Sequence, residues 1–143
     1  MQHPELYGYR FEDLKPGLAA TVSRTITETD LRNFSGVSGD TNPMHLNEEF
    51  AKNTPFGRCI VHGMLTSSLI SAAIGTKLPG PGCIYMSQTL KFLAPVYVGD
   101  TVYAVVTVKT LMPEKQRVLL DTRCFVKDTL VIEGEALIKV PSR

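Results

Sequence analysis

Asp40 and His45 lie five positions apart, with Asn42 and Pro43 between them. In a helix this spacing would splay the two side chains apart, whereas a loop stiffened by Pro43 lets both point into one cleft. A carboxylate and an imidazole that share a cleft form an acid–base pair able to transfer protons in both directions. The alternative is an aspartate that forms an Asx-turn beside a surface histidine, and the spacing alone favours this alternative because loop aspartates commonly form turns.

His62 and Gly63 stand at the start of an uncharged segment with a helical pattern. The first turn of a helix has unpaired backbone N–H groups at its positive end. If Gly63 begins the helix, its N–H can stabilise negative charge that develops on a thioester carbonyl oxygen. The alternative is that Gly63 only permits a tight turn. We interpret His62 as a hydrogen-bonded structural histidine and not as a catalyst.

The motifs of several other enzyme classes are absent from the sequence. There is no GxSxG elbow, no HExxH pair and no phosphate-binding P-loop, and the PGPG segment at 79–82 lacks the strand–GxGxxG–helix context of a dinucleotide site. No His, Cys and Asp cluster has metal-ligand spacing, so we expect no metal and no cofactor. Cys59, Cys83 and Cys124 are odd in number and form no CxxC pair, which favours core packing in a reducing compartment.

The elements that must position these residues follow from the hydrophobic pattern. Residues 17–26 read as a strand, and Thr27 with Asp30 forms the capping box of a short helix. Pro43 ends any helix before Asn42, so the pattern predicts a constrained loop over Asp40–His45. Asn47 is expected to cap another short helix. The segment Gly63–Thr76 is apolar nearly all round, which predicts a buried helix.

Strand patterns follow this helix. Four segments rich in Val, Ile, Leu, Tyr, Phe and Thr indicate strands at 83–94, 101–112, 116–127 and 130–140. Turns are expected at Gly99-Asp100 and Lys127-Asp128. We therefore predict an α+β fold in which a curved antiparallel sheet wraps around the long helix.

Length and charge restrict the class of protein further. The chain has 143 residues, which predicts one domain over 1–143. Fifteen basic and fourteen acidic residues give a formal charge of +1, which argues against a nucleic-acid partner.

Polar residues within the uncharged stretch Cys59–Thr76 favour a buried helix over a membrane span. The N-terminal MQHPELYGYRFEDL lacks a signal-peptide core, so we expect a cytoplasmic protein, or a mitochondrial matrix protein if a transit peptide has been removed.

A longer motif runs through the same residues. SGDTNPMHLNEEFAKNTPFG, followed by IVHGML and later by LPGPGCIYMSQTLKFLAPVYVGDTV, resembles the MaoC-like hydratases, the (R)-specific enoyl-CoA hydratases also called hydratase 2. Among them the chain most resembles the short polyhydroxyalkanoate-supplying hydratases, and it also resembles the mitochondrial type 2 3-hydroxyacyl-thioester dehydratases. The resemblance covers about Phe34 to Val102. Asn47 departs from it, since the family usually has Asp there, but Asn can still cap the short helix.

The resemblance implies a hot-dog fold and a homodimer with active sites near the subunit interface. It places the catalytic pair on Asp40 and His45, which reverses the interpretation from spacing, and the carbonyl-binding N–H on Gly63. A substrate-binding helix serine falls on Ser71. The acyl chain is expected to run toward Ile74, with Ile138 closing its path, which would favour chains of four to six carbons.

The activity implied is reversible syn addition of water to a trans-2-enoyl-CoA, giving a (3R)-hydroxyacyl-CoA without a cofactor. The substrate partner is an acyl-CoA, and acyl carrier protein is the alternative carrier, as in a 3-hydroxyacyl-ACP dehydratase. A hot-dog thioesterase would normally need a carboxylate on or near the central helix, and Gly63–Thr76 has none. A non-catalytic hot-dog protein would be expected to lack the Asp40 and His45 pair.

Overall fold

The structure is a computed structural model that describes residues 3–143 and contains one six-stranded antiparallel sheet. The strands lie in the order β1-β4-β5-β6-β2, and the short β3 pairs with β6. The elements are β1 Ala19–Thr25, α1 Glu28–Ser38, α2 Pro43–Leu46, α3 Glu48–Ala51, α4 Gly63–Thr76, β2 Ile84–Gln88, β3 Lys91–Phe92, β4 Thr101–Met112, β5 Arg117–Val126 and β6 Thr129–Lys139. The predicted α+β architecture, a sheet curved around the long helix, is confirmed.

The central strands alternate between buried and more exposed positions, as a sheet with one face on a core requires. On β4, Val102, Ala104 and Val106 are fully buried, and Val118 and Leu120 of β5 join them. These side chains pack with Leu69, Ile70, Ala73 and Ile74 of α4 in one apolar cluster. Burial of this cluster is the main driving force that fixes the helix against the sheet.

The exposure of α4 differs from the prediction. Its bounds, Gly63–Thr76, are as predicted, but the helix is not buried all round in the single chain. Ser68, Ser71, Ala72 and Gly75 form a stripe that is exposed. The sheet curves around only one side of the helix, and small or polar residues occupy the other side.

Helix α1 begins at the predicted capping box. The Thr27 side chain accepts a hydrogen bond from the Asp30 N–H at 3.1 Å, and the Asp30 carboxylate accepts one from the Thr27 N–H at 3.0 Å. Arg24 of β1 adds two hydrogen bonds to the same carboxylate, at 2.6 and 3.1 Å. Gly39 ends the helix with φ of 78°, a conformation that favours glycine.

The predicted loop Asp40–His45 is partly wrong. Pro43–Leu46 forms one helical turn, α2, because proline is tolerated at the first helical position, where no N–H is needed. Asn42 caps this turn by accepting a hydrogen bond from the Met44 N–H at 3.1 Å. Asn47 caps α3 as predicted, accepting from the Phe50 N–H at 3.1 Å.

The predicted strand 83–94 is also partly wrong. It is broken into β2 and β3, and a bulge interrupts β2 between Tyr85 and Ser87. The break bends the chain so that Phe92 reaches the start of α4, where the Cβ that Gly63 lacks would collide with its ring. The strands predicted at 101–112, 116–127 and 130–140 are confirmed within one residue at each end.

The remaining chain-wide features concern cysteines, helices and the N-terminus. Cys59, Cys83 and Cys124 are free thiols, and Cys59 and Cys124 are buried, as core packing predicts. Within residues 3–143, no helix combines the length and the apolar character needed to cross a membrane. Of the N-terminal segment considered above, residues 1 and 2 lie outside the described residues.

Candidate active site

A cavity of about 460 Å³ lies at the N-terminal end of α4. Its polar residues are Asp40, His45, His62 and Thr66, and Gly63 lies beside them. The rest of the wall is mainly apolar and is made by Phe56, Ile60, Val61, Met64, Phe92, Leu93, Ala94, Pro95, Val96 and Ile132. A largely apolar cavity with a few convergent polar groups is typical of a small-molecule site.

His45 lies on α2, and a hydrogen bond from its Nδ1 holds the ring in place. The side chain is only 8% exposed, and its Nδ1 lies 2.8 Å from the Ile60 carbonyl oxygen. A carbonyl only accepts hydrogen bonds, so Nδ1 carries the proton and donates. In the neutral form of the ring, Nε2 is then unprotonated and is the nitrogen that can take a proton from a reactant.

Asp40 follows the Gly39 cap of α1 and sits in a turn of its own. Its N–H donates to Ser38 Oγ at 3.1 Å, and its Oδ1 accepts from the Asn42 N–H at 3.3 Å. The Asx-turn considered from the sequence is therefore present, and the same aspartate lines the cavity beside His45. The surface-histidine half of that alternative is wrong, because His45 is buried.

His62 contacts both Asp40 and His45. Its Nε2 lies 3.1 Å from the Asp40 carbonyl oxygen and 3.1 Å from Ser35 Oγ, so Nε2 carries the proton. Its ring stacks on His45 with centroids 3.9 Å apart and tilts against Phe34 at 4.8 Å. Burial lowers the pKa of His62, which keeps it neutral. These contacts match a hydrogen-bonded structural histidine.

Asp40, His45 and His62 also bring their ligand-type atoms within 4.8 Å of one another. The two imidazole planes are 24° from parallel. Ring nitrogens coordinate a metal in the plane of the ring, and two stacked rings do not aim their lone pairs at a common point. The geometry suits proton transfer better than metal coordination.

Gly63 is the first residue of α4, and the first hydrogen bond of the helix runs from the Thr66 N–H to the His62 carbonyl. The Gly63 N–H therefore has no partner within the helix. Gly63 is not among the residues of positive φ, so a tight turn does not account for the glycine. A Cβ at this position would lie 2.5 Å from Phe92 Cε1, so close approach of the Phe92 ring requires glycine here.

The three residues predicted to bind the acyl chain lie elsewhere. Ser71 is exposed on α4, and Ile74 and Ile138 are fully buried in the core. None of the three lines the cavity that contains Asp40, His45 and Gly63. Their role in substrate binding stays a prediction.

The sequence reasoning missed Phe92 and Thr66 as residues of the cavity. Phe92 lay within a predicted strand, where nothing distinguished it from its neighbours. Thr66 follows Gly63 by three positions, and i, i+3 spacing on a helix would have placed it on the same side.

Comparison with known proteins places the chain in a family. A family model described as MaoC like domain matches residues 13–133. An (R)-specific enoyl-CoA hydratase from Rhodospirillum rubrum is 52% identical over 143 residues, which is 100% of this chain and 99% of that protein. A 3-hydroxybutyryl-CoA dehydratase from Methylorubrum extorquens is 50% identical over 140 residues, covering 98% of this chain and 89% of the relative.

A solved structure agrees with this placement. The unliganded R-hydratase PhaJ1 from Pseudomonas aeruginosa matches with a TM-score of 0.90 and 43% identity, over 96% of this chain and 89% of that chain. The hot-dog fold implied by the resemblance is confirmed. The chain belongs to the MaoC-like domain family.

Proposed function

We propose that this protein is an (R)-specific enoyl-CoA hydratase that adds water reversibly to a trans-2-enoyl-CoA. The observation that carries the proposal is the placement of Asp40 and the free Nε2 of His45 in one cavity with the unpaired N–H of Gly63. The activities named for the relatives from Rhodospirillum rubrum and Methylorubrum extorquens support it.

In the proposed reaction, the thioester carbonyl oxygen accepts a hydrogen bond from the Gly63 N–H. This polarises the C2=C3 double bond and makes C3 electrophilic. A water held between Asp40 and His45 loses a proton to the pair as its oxygen bonds to C3. The pair then returns a proton to C2 on the same face, which gives the (3R)-hydroxyacyl-CoA. Water supplies both electrons of the new C–O bond, so the reaction needs no cofactor.

We also propose that the protein acts as a homodimer. Strand β2 lies at one edge of the described sheet, where β6 is its only neighbour. Its residues Ile84, Tyr85 and Met86 are exposed. Phe92 and Leu93, which line the cavity, are exposed as well. Exposed apolar side chains along a sheet edge are typical of an interface. A second copy seated on it would lie next to the active site.

The acyl chain and its carrier are the finer parts of the proposal. We propose coenzyme A as the carrier and short acyl chains of four to six carbons, with Ser71, Ile74 and Ile138 as the predicted binding residues. Relative rates with crotonyl-CoA, hexenoyl-CoA and dodecenoyl-CoA test the chain length. A rate that rises steadily to dodecenoyl-CoA would refute the preference for short chains.

The activity is tested by following the loss of enoyl absorbance when the purified protein meets crotonyl-CoA, and then by oxidising the product with an (R)-specific dehydrogenase. Rapid hydration with an (R) product is the expected result. Hydration seen only with crotonyl-ACP would instead identify the protein as a dehydratase that acts on acyl carrier protein substrates. Release of free coenzyme A without hydration would replace the proposal with a thioesterase.

A further inference from the structure

A buried hydroxyl without a hydrogen-bond partner lies in the wall of the active-site cavity. Within residues 3–143, the buried side-chain atoms that lack a partner are His62 Nδ1, Thr66 Oγ1 and Arg117 Nε. Thr66 is only 1% exposed, and both Thr66 and His62 line the cavity. Leaving a buried hydroxyl unpaired costs about 1–3 kcal/mol, so the exception requires an explanation.

Neighbouring hydroxyls on α4 show that the helix itself could satisfy Thr66. Ser67 Oγ donates to the Met64 carbonyl at 2.9 Å, Ser68 Oγ to Leu65 at 2.5 Å, and Thr76 Oγ1 to Ala72 at 2.7 Å. Thr66 makes no such bond to the preceding turn. Its hydroxyl hydrogen therefore has no acceptor within the described residues.

The position of Thr66 on the helix brings its hydroxyl toward Gly63. Three residues separate the two, which is about 4.5 Å along the helix axis. Helical side chains tilt toward the N-terminus, which shortens this separation for the Thr66 side chain. Thr66 and Gly63 therefore lie within one turn of each other on α4, and both line the cavity.

We propose that the Thr66 hydroxyl is a second hydrogen-bond donor to the thioester carbonyl oxygen, beside the Gly63 N–H. The inference rests on the hydratase function proposed above and adds a residue to its catalytic site. The negative charge that forms on the carbonyl oxygen as water adds to C3 is then shared between a backbone donor and a side-chain donor. His62 cannot fill this role, because its free Nδ1 has no proton and only accepts.

The first test combines activity with stability. Thr66→Val keeps the shape of the side chain and removes the hydroxyl, and Thr66→Ser keeps the hydroxyl. We expect Thr66→Val to lower kcat for crotonyl-CoA by about 10²–10³-fold, the usual loss for one such donor. Its Tm should equal or exceed that of the wild type, because an unpaired buried hydroxyl has been removed. Thr66→Ser should retain most of the activity.

Ser67→Ala is the matched control, since Ser67 is not among the residues that line the cavity and its hydroxyl already donates to the Met64 carbonyl. We expect its kcat to match the wild type. Two results would overturn the inference. One is a Thr66→Val variant with wild-type kcat. The other is a Thr66→Val variant whose Tm falls together with its activity, which would mean that the hydroxyl bonds within the protein, for example to His62 Nδ1.

A second measurement does not depend on turnover. Butyryl-CoA has no double bond to hydrate, and a ¹³C label on its thioester carbonyl isolates one infrared band. We expect this band to lie at lower frequency when bound to wild type or Thr66→Ser than when bound to Thr66→Val. The same frequency in all three proteins would overturn the inference. Because the band is measured without turnover, it separates failure of this inference from failure of the hydratase proposal.

Discussion

His62 is buried next to Asp40 and His45, the proposed catalytic pair, and this burial links protein stability to pH. Burial lowers its pKa below the usual value of 6.5, while the imidazole of the unfolded chain keeps that value. The unfolded state then binds a proton that the folded state excludes, so stability decreases as pH falls below about 6.5. One such proton contributes at most about 1.4 kcal/mol per pH unit.

We therefore expect urea denaturation to show a decrease in the free energy of unfolding between about pH 7 and about pH 5 that is smaller in His62→Gln. Glutamine keeps an N–H that can reach the Asp40 carbonyl but does not titrate. The same pH dependence in both proteins would contradict a lowered pKa of His62. A circular dichroism spectrum at pH 7 controls for folding of the variant.

At the residue scale, spacing alone favoured a turn aspartate at Asp40, and only the family resemblance assigned Asp40 and His45 a catalytic role. The Asx-turn at Asp40 and its place in the cavity are compatible, so the turn pattern could not exclude catalysis. The contacts of His62 with Ser35 and of Gly63 with Phe92 join residues that are 27 and 29 positions apart. Such contacts depend on how the elements pack, which local pattern does not specify.

At the scale of elements, the N-terminus of α4 packs against β3 because the Phe92 ring lies close to Gly63. An added Cβ at Gly63 would lie 2.5 and 2.7 Å from two atoms of the Phe92 ring. We expect Gly63→Ala to destabilise the protein by about 1 kcal/mol, the lower end of the usual cost of overpacking, because the Phe92 ring is 53% exposed and can shift. In a Phe92→Ala background the same change should be neutral or stabilising by up to about 1 kcal/mol.

Urea denaturation of the four proteins in this double-mutant cycle measures the coupling between the two sites. An equal effect of Gly63→Ala in both backgrounds would show that the Phe92 ring does not require the glycine. Phe92 is 53% exposed, so the Phe92→Ala variant alone should fold.

Ser35 and Phe34 of helix α1 contact His62. Asp30 stabilises the N-terminus of this helix through the capping box. Two hydrogen bonds from Arg24, helped by Thr27, lower the pKa of Asp30 to about 2. This stabilisation is present above the unfolded pKa of 3.8 and is lost as pH falls through about 2. We expect Asp30→Asn to cost about 1–2 kcal/mol at pH 7, reduced by the solvent exposure of Arg24.

Urea titrations at pH 7 and at pH 3 test this expectation, and the difference between wild type and Asp30→Asn should be smaller at pH 3. Arg32→Gln offers a control, because Arg32 pairs with Glu28 at an exposed site on the same helix. A difference that does not change with pH would contradict a role for the charged carboxylate.

The elements that the sequence predicted best are those with strong local patterns. The bounds of α4 followed from its uncharged apolar run, and the start of α1 followed from the Thr27 and Asp30 capping box. The break between β2 and β3 could not be predicted, because residues 83–94 contain no Gly, Pro, Asn or Asp to mark a turn. The bend depends on pairing with β6, and β6 lies far along the chain.

At the scale of the whole molecule, the proposed dimer makes the β2 edge testable. Met86 lies at the β2 bulge and is 44% exposed. A lysine there would oppose its copy across a symmetric interface and would be costly to bury. We expect Met86→Lys to shift the protein from dimer to monomer in sedimentation equilibrium and to lower activity. Leu6→Lys, at another exposed apolar position, should stay dimeric. A monomeric wild type would contradict the dimer.

The central claim is that Asp40 and His45 together activate water. It is tested most directly by kcat for crotonyl-CoA hydration in Asp40→Asn, which keeps the side-chain shape and the acceptor for the Asn42 N–H. A positioned acid–base group contributes about 10²–10⁴-fold in rate. The account predicts a loss of that size with an unchanged Tm. A folded Asp40→Asn protein that retains most of the wild-type kcat would contradict it.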